Sequence, residues 1–155
     1  MMVQDIFFSD CVDEILSTKE FLLMEAFLQH GKTTCLGHCL KVAGLSYIVS
    51  KKLNLRCDNK SLIRGALLHD FFLYDWHEKD ASHRLHGFSH PKTALRNAEL
   101  YFTLNNKERD IIAKHMWPLT LKPPKCREAF LVCVVDKCCA AFETFSPLFS
   151  KTGVR

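Results

Sequence analysis

Apolar residues recur every three or four positions along most of the chain, a spacing that predicts helices. The one β-like run, Val132 to Val135, lies inside a longer helical period, so no strand is predicted. The pattern predicts an all-α, single-domain protein (1–155) with a bundle of about seven helices. The predicted helices cover 5–16, 18–29, Thr33 or Thr34 to Leu53, 60–72, Ser89 to about Leu104, 107–115 and 125–145.

Helix ends are marked by residues that suit them. Gly31 can take the left-handed position after a helix, and Pro91 suits a first turn that Ser89 caps. These placements leave His86 in the preceding loop and His90 at the start of its helix. Candidate N-caps for the other helices are Thr33 or Thr34, Asp58 or Asn59, and Asn105 or Asn106.

A histidine–aspartate pair, His69-Asp70, closes the apolar stretch that begins at Arg64. Adjacent residues on a helix point about 100° apart, but both can reach an ion that sits over the groove between them. Imidazole nitrogen and carboxylate oxygen together suit zinc, manganese, iron and similar divalent ions. Alone, the pair is also compatible with an ordinary helix end.

Further metal-capable side chains lie near helix ends or interrupt apolar helices. His38 lies within the third predicted helix, where a lone histidine is usually a hydrogen-bonded structural residue. His90 and His115 lie at helix ends. Asp136 interrupts a strongly apolar helix, where an acid is costly to bury unless it is paired or metal-bound. The order of these residues along the chain matters more than any one of them.

Composition limits the remaining possibilities. The chain has 155 residues, 48% of them hydrophobic, and a net charge of +4 that is scattered rather than clustered. Nucleic acid is therefore not the leading partner. No apolar run is long enough for a transmembrane helix, and the acidic start lacks the basic region of a secretory signal, so a cytoplasmic location is expected. In that reducing compartment we expect the eight cysteines to act as apolar core residues.

The order His38, His69-Asp70, His90, His115, Asp136 resembles the HD-domain superfamily of metal-dependent phosphohydrolases. That family carries His, His-Asp and Asp on successive helices, and its binuclear branches carry two further histidines. The resemblance covers about residues 33–145, leaving 1–30 as an N-terminal helical extension.

The resemblance implies the ligands of one or two divalent ions. By it, His38, His69, Asp70 and Asp136 would hold one ion, and Asp70 would bridge to a second ion held by His90 and His115. Iron, manganese, nickel or zinc would suit these ligands, and magnesium is possible. The implied reaction is cleavage of a phosphoester or phosphoanhydride, of a nucleotide above all, by a metal-activated water.

Several residues near the expected ligands are candidates for substrate contacts. Lys92 is the best phosphate candidate, because it lies close to His90 and near a helix N-terminus. Arg64 lies about 140° around its helix from His69, so a structural salt bridge is expected there. The other candidates are His86, Lys114, Lys137, Asp75 and Trp76. His86 could instead face solvent, and Trp76 could instead cover the core.

Two functions of different class remain open. The first is a metal-dependent phosphohydrolase acting on a small phosphorylated substrate. The second is a catalytically weak module that binds a nucleotide or a partner and acts as a regulator. The complete set of candidate ligands favours the enzyme, since a degenerate binding module would be expected to lose at least one. The oligomeric state cannot be derived from the sequence.

Overall fold

The computed structural model describes residues 5–74 and 86–150. In these residues the fold is all-α, as predicted, with one small two-stranded sheet. The helices are α1 (Ile6–Leu16), α2 (Lys19–Leu22), α3 (Cys35–Lys52), α4 (Asn59–Leu68), α5 (His86–Tyr101), α6 (Asn106–Lys114) and α7 (Arg127–Ser150). No helix in the described part of the chain is long and apolar enough to cross a membrane.

Helix α4 is the centre of the bundle. Every residue from Ser61 to Leu68 is buried, and the helix packs against α1, α3, α5, α6 and α7. This burial explains why the segment is apolar on almost every side. The helix ends at Leu68, four residues earlier than predicted, so its C-terminal end delivers His69 and Asp70 to the interior.

The N-terminal region differs from the prediction of a second long helix. After α2 a 3₁₀ turn covers Leu23–Ala26, and the chain then forms an antiparallel hairpin of β1 (Leu28–His30) and β2 (Thr33–Thr34). Gly31 has a positive φ of 60°, as predicted, but it serves a hairpin turn instead of a helix end. The prediction of no strand is therefore wrong, because strands this short are too brief to show alternation in the sequence.

Helix α5 begins earlier than predicted. It starts at His86, so His86 is not in the preceding loop, and His90 is the fifth residue of the helix instead of the first. Ser89 is consequently not its cap, and Pro91 lies in the second turn. A proline there removes one helical hydrogen bond, the one to the carbonyl of Gly87, and the helix continues despite that loss.

Three predicted caps form, each at one of the two residues proposed for it. The side chain of Thr34 accepts a hydrogen bond from the Gly37 N–H, and that of Asp58 accepts one from the Ser61 N–H. Asn105 and Glu108 form a reciprocal capping box at the start of α6. These caps fix where the ligand-bearing helices begin.

Gly65 lets α4 and α6 approach closely, and replacing it with alanine is expected to destabilise the protein by about 1–3 kcal/mol. A Cβ atom at this position would overlap Ile111 Cδ1 and lie 3.0 Å from Ile111 Cβ. Alanine is favoured over glycine in a helix by about 1 kcal/mol. A loss of stability would therefore show that the overlap with Ile111 costs more than the higher helix propensity of alanine contributes. Urea denaturation of the Gly65→Ala variant measures the difference.

The background variant Ile111→Val provides the control for Gly65→Ala. It lacks the Cδ1 atom that overlaps most, but it keeps Cβ and Cγ2, which would lie 3.0 and 3.1 Å from the new Cβ. We expect the alanine penalty to be smaller by at least about 0.5 kcal/mol in this background. An unchanged penalty would contradict the steric explanation.

Candidate metal centre

The six predicted metal ligands come together in the interior of the bundle. His38 lies on α3, His69 and Asp70 directly follow α4, His90 lies on α5, His115 directly follows α6, and Asp136 lies on α7. All six are at most 5% exposed. Three overlapping sets of their donor atoms, each within 4.8 Å, could hold a metal ion. Five helices thus contribute to one polar cluster in the interior of the bundle.

One part of the cluster, the His38 half, consists of His38, His69, Asp136 and Asp70. His38 Nε2 lies 3.0 Å from Asp136 Oδ1 and 3.9 Å from Asp70 Oδ2. His69 Nε2 lies 3.4 Å from Asp70 Oδ2 and 3.5 Å from Asp136 Oδ1. Two imidazole nitrogens therefore face two carboxylate oxygens at distances of 3.0–3.9 Å.

The other part, the His90 half, consists of His90, His115 and Asp70. The Nε2 atoms of His90 and His115 lie 2.8 Å apart. Both also approach Asp70 Oδ1, at 3.1 Å for His90 and 3.4 Å for His115. Asp70 thus faces the two halves with different oxygens.

Backbone carbonyls orient two of the histidine rings. His69 Nδ1 lies 2.7 Å from the Ala66 carbonyl, and His115 Nδ1 lies 2.9 Å from the Ile112 carbonyl. A carbonyl can only accept, so each Nδ1 carries the hydrogen. In the neutral rings, each Nε2 therefore offers its lone pair to the cluster, the arrangement that metal-binding histidines usually have.

The electrostatics of the protein groups favour positive charge within the His38 half. Burial opposes protonation of His38, but hydrogen bonds to Asp136 and Glu143 outweigh it and raise its pKa to about 9. The pKa of His69 is likewise raised despite burial, chiefly by the charge of Asp70. Burial opposes ionisation of Asp70 and Asp136, yet the neighbouring histidines hold both carboxyl pKa values well below their usual range.

The His90 half behaves differently, because burial lowers the pKa of His115. A neutral His115 retains its Nε2 lone pair beside His90 and Asp70. Lone pairs converging in this way are suited to binding a cation.

The donor set fits divalent metal binding. His69 Nε2 and Asp70 Oδ1 are buried and have no hydrogen-bond partner, although a buried polar atom left without one is destabilising. Because His69 Nε2 faces the His38 half and Asp70 Oδ1 faces the His90 half, an ion in each half would satisfy one of these atoms. Neutral imidazoles and carboxylates are typical ligands of zinc, iron, manganese and nickel.

The sequence interpretation missed Gln29, whose side-chain amide contacts the cluster. Gln29 lies on β1, is 4% exposed, and donates a hydrogen bond from Nε2 to Asp70 Oδ2. Its other amide atom, Oε1, accepts a hydrogen bond of 3.5 Å from the Cys35 thiol. The sequence carries no signal for this contact, because it depends on a hairpin that the pattern does not predict.

A second missed residue, Glu143, lies on α7. It is 4% exposed, and its Oε2 lies 2.8 Å from His38 Nδ1. The spacing in the sequence does indicate that Glu143 is buried. Glu143 follows Asp136 by seven residues, and residues seven apart lie on the same face of a helix. A second acid on the buried face of an apolar helix indicates a polar partner.

The lysines considered for phosphate binding differ in their contacts. Lys114 Nζ lies 2.6 Å from Asp110 Oδ1, and Lys137 Nζ donates to the carbonyls of His115 and Cys133. Lys92 is exposed on α5, two residues after His90. Binding phosphate would compete with existing contacts at Lys114 and Lys137.

Three other candidates for substrate contact cannot be placed. Asp75 and Trp76, like the side chain of His86, lie outside the described residues.

Arg64 has the structural role expected of it, with Nε 2.8 Å from Glu108 Oε1 and a second ion pair to Glu14.

Comparison with protein families gives one match. Residues 35–141 match the family model described as HD domain, which is more than half of the chain. Comparisons with curated proteins and with solved structures give no match.

Proposed function

The chain belongs to the HD-domain family, and we propose that it is a phosphohydrolase whose centre holds two divalent ions bridged by Asp70. Members of the family are mostly metal-dependent hydrolases of the phosphohydrolase superfamily. The proposal of two ions and of phosphohydrolase activity for this chain rests on the chain's own residues.

One observation carries the proposal: the two oxygens of Asp70 face different histidine pairs. Oδ2 lies 3.4 Å from His69 Nε2 and 3.9 Å from His38 Nε2, whereas Oδ1 lies 3.1 Å from His90 Nε2 and 3.4 Å from His115 Nε2. A carboxylate that serves two sets of nitrogen ligands is suited to bridging two ions. A single-ion site would leave His90 and His115 without a function there.

The proposed roles follow from the donor atoms. His38, His69 and Asp136 would hold one ion, His90 and His115 the other, and Asp70 both. Paired divalent ions supply Lewis acidity toward a phosphoryl group and lower the pKa of water, so the protein needs no serine or cysteine nucleophile. The chain's own contribution is to hold six ligands together in a buried cluster.

The proposed substrate is a phosphoester or phosphoanhydride, of a nucleotide above all, in the cytoplasm. Lys92 is the first candidate for a contact with phosphate oxygens, but on α5 it lies about 160° around the helix from the buried His90, so its ammonium group gives this choice no support. His86, Lys114, Lys137, Asp75 and Trp76 remain further candidates for this contact.

The alternative is a catalytically weak module that binds a nucleotide or a partner. All six candidate ligands are present and buried together, which favours the enzyme. Metal binding without turnover of any phosphoester would instead support the alternative.

Metal analysis of protein purified without a metal-affinity tag tests the number of ions. We expect about two equivalents per chain and hydrolysis that a chelator abolishes. His90→Ala and His115→Ala are each expected to lower the content to about one equivalent and to impair hydrolysis, because the His90 half loses a ligand.

His38→Ala is the matched variant for the other half. It should also retain about one ion, held by the His90 half. Protein that takes up no manganese, iron, nickel or zinc would overturn the proposal. If hydrolysis survives unchanged in both His90→Ala and His115→Ala, the two-ion form of the proposal is wrong.

A further inference from the structure

Glu143 reaches the metal centre from outside the matched family segment. It lies on α7, two residues beyond the end of the 35–141 match, and 105 positions from its partner His38. Its Oε2 atom lies 2.8 Å from His38 Nδ1, and both residues are buried. The contact joins α3 to α7 beside the His38 half.

The contact determines which nitrogen of His38 can bind an ion. An ionised carboxylate only accepts hydrogen bonds, so the nitrogen that faces Glu143 must carry the hydrogen. Nε2 in turn lies 3.0 Å from the Asp136 carboxylate oxygen Oδ1. An ion would take the place of a hydrogen at Nε2 and bind the lone pair there, while Nδ1 keeps its hydrogen toward Glu143. Without an acceptor at Nδ1, the hydrogen of the neutral ring would be favoured on Nε2, where Asp136 accepts it, and the Nε2 lone pair would not be available to an ion.

Lys41 holds Glu143 in this position. Its Nζ atom lies 2.6 Å from Glu143 Oε1, so each carboxylate oxygen has its own partner. We propose that Glu143, held by Lys41, is a positioning residue that orients His38 for the ion of the His38 half. This inference rests on the proposed metal centre.

Titration of the full chain with Co²⁺ tests the inference, with binding followed by the visible absorption of the ion. Outer carboxylate partners of ligand histidines contribute about 10–100-fold to metal affinity. We therefore expect Glu143→Leu to weaken one of the two ions by about 10–100-fold and to leave the other unchanged. His38→Ala, which removes the ligand itself, identifies the affected ion as that of the His38 half.

A pair of variants separates positioning from packing. In Glu143→Gln, the amide presents an NH₂ group either to the Lys41 ammonium, where two donors meet, or to His38 Nδ1, where it opposes the required tautomer. In the double variant Glu143→Gln/Lys41→Met, the amide oxygen can accept from His38 Nδ1–H without facing a second donor. We expect the double variant to recover about tenfold of the affinity lost in Glu143→Gln.

Glu128→Gln is the matched control. Glu128 lies on the same helix and is 2% exposed, but it binds the Asp58 N–H and Lys107, and neither is in the cluster. Its variant should bind Co²⁺ like the wild type. Equal weakening in Glu128→Gln and Glu143→Gln would overturn the inference, as would an unchanged affinity in Glu143→Leu. A wild-type chain that binds no Co²⁺ would overturn the metal centre itself.

Discussion

Replacing Asp70 with asparagine is expected to weaken both ions together and to abolish measurable hydrolysis. The substitution keeps the size of the side chain but replaces one carboxylate oxygen by an NH₂ group, which cannot bind a cation. Whichever way the amide turns, one half loses its shared ligand and both lose the negative charge. Since losing an outer partner of a ligand already lowers affinity or activity about 10–100-fold, removing the shared ligand should lower hydrolysis by at least about 100-fold.

Asp58→Asn is the control for Asp70→Asn. Asp58 caps α4 by accepting from the Ser61 N–H, and asparagine is an equally good N-cap, so stability and metal content should change little. Metal analysis and hydrolysis assays on both variants provide the comparison. An Asp70→Asn protein that keeps two ions and its activity would contradict the bridging role.

The parts of the centre that could be predicted are those whose signal is local. His69 and Asp70 stand out because they end an apolar helix, and Asp136 because it interrupts one. Their order along the chain, together with His38, His90 and His115, indicates the family without any geometry. Caps such as Asp58 and Asn105 were predictable for the same reason, since a cap acts within three residues of itself.

The parts that could not be predicted depend on contacts between distant segments. Gln29 reaches Asp70 only because the chain from Leu28 to Thr34 forms a hairpin, and strands of two and three residues leave no periodic signal. The helix start at His86 is not evident from the sequence, because Pro91 suggests a first turn, whereas a proline further inside a helix removes only one hydrogen bond. Glu143 lies between these cases. Its position on the buried face of α7 could be predicted from its spacing to Asp136, but its partner His38 could not, because His38 is 105 positions away.

Arg64 and Glu108 form a buried ion pair between the two helices that lead to His69 and His115. Their side chains are 6% and 3% exposed, with Arg64 Nε 2.8 Å from Glu108 Oε1. Glu108 also completes the capping box of α6 by accepting from the Asn105 N–H at 2.9 Å. Removing Glu108 would leave the buried Arg64 charge to the part-exposed Glu14 and the Thr103 carbonyl, which compensate it less well than a buried carboxylate.

We expect Glu108→Ala to lower the free energy of unfolding by about 3–5 kcal/mol, as measured by urea denaturation. The contrasting pair is Arg109 with Glu99, which joins α5 and α6 at the same 2.8 Å but has side chains 43% and 44% exposed. Because water screens that pair, Glu99→Ala should change stability by less than about 1 kcal/mol.

The double variant Arg64→Met/Glu108→Leu separates the buried charge from the loss of packing. It replaces both charges with apolar side chains, so it should be more stable than Glu108→Ala, although the lost capping box still costs about 1 kcal/mol. If the double variant is instead as unstable as the single one, the loss of the buried partner of Arg64 is not the cause. The loss would then come from the packing between α4 and α6, the same close approach that Gly65→Ala tests.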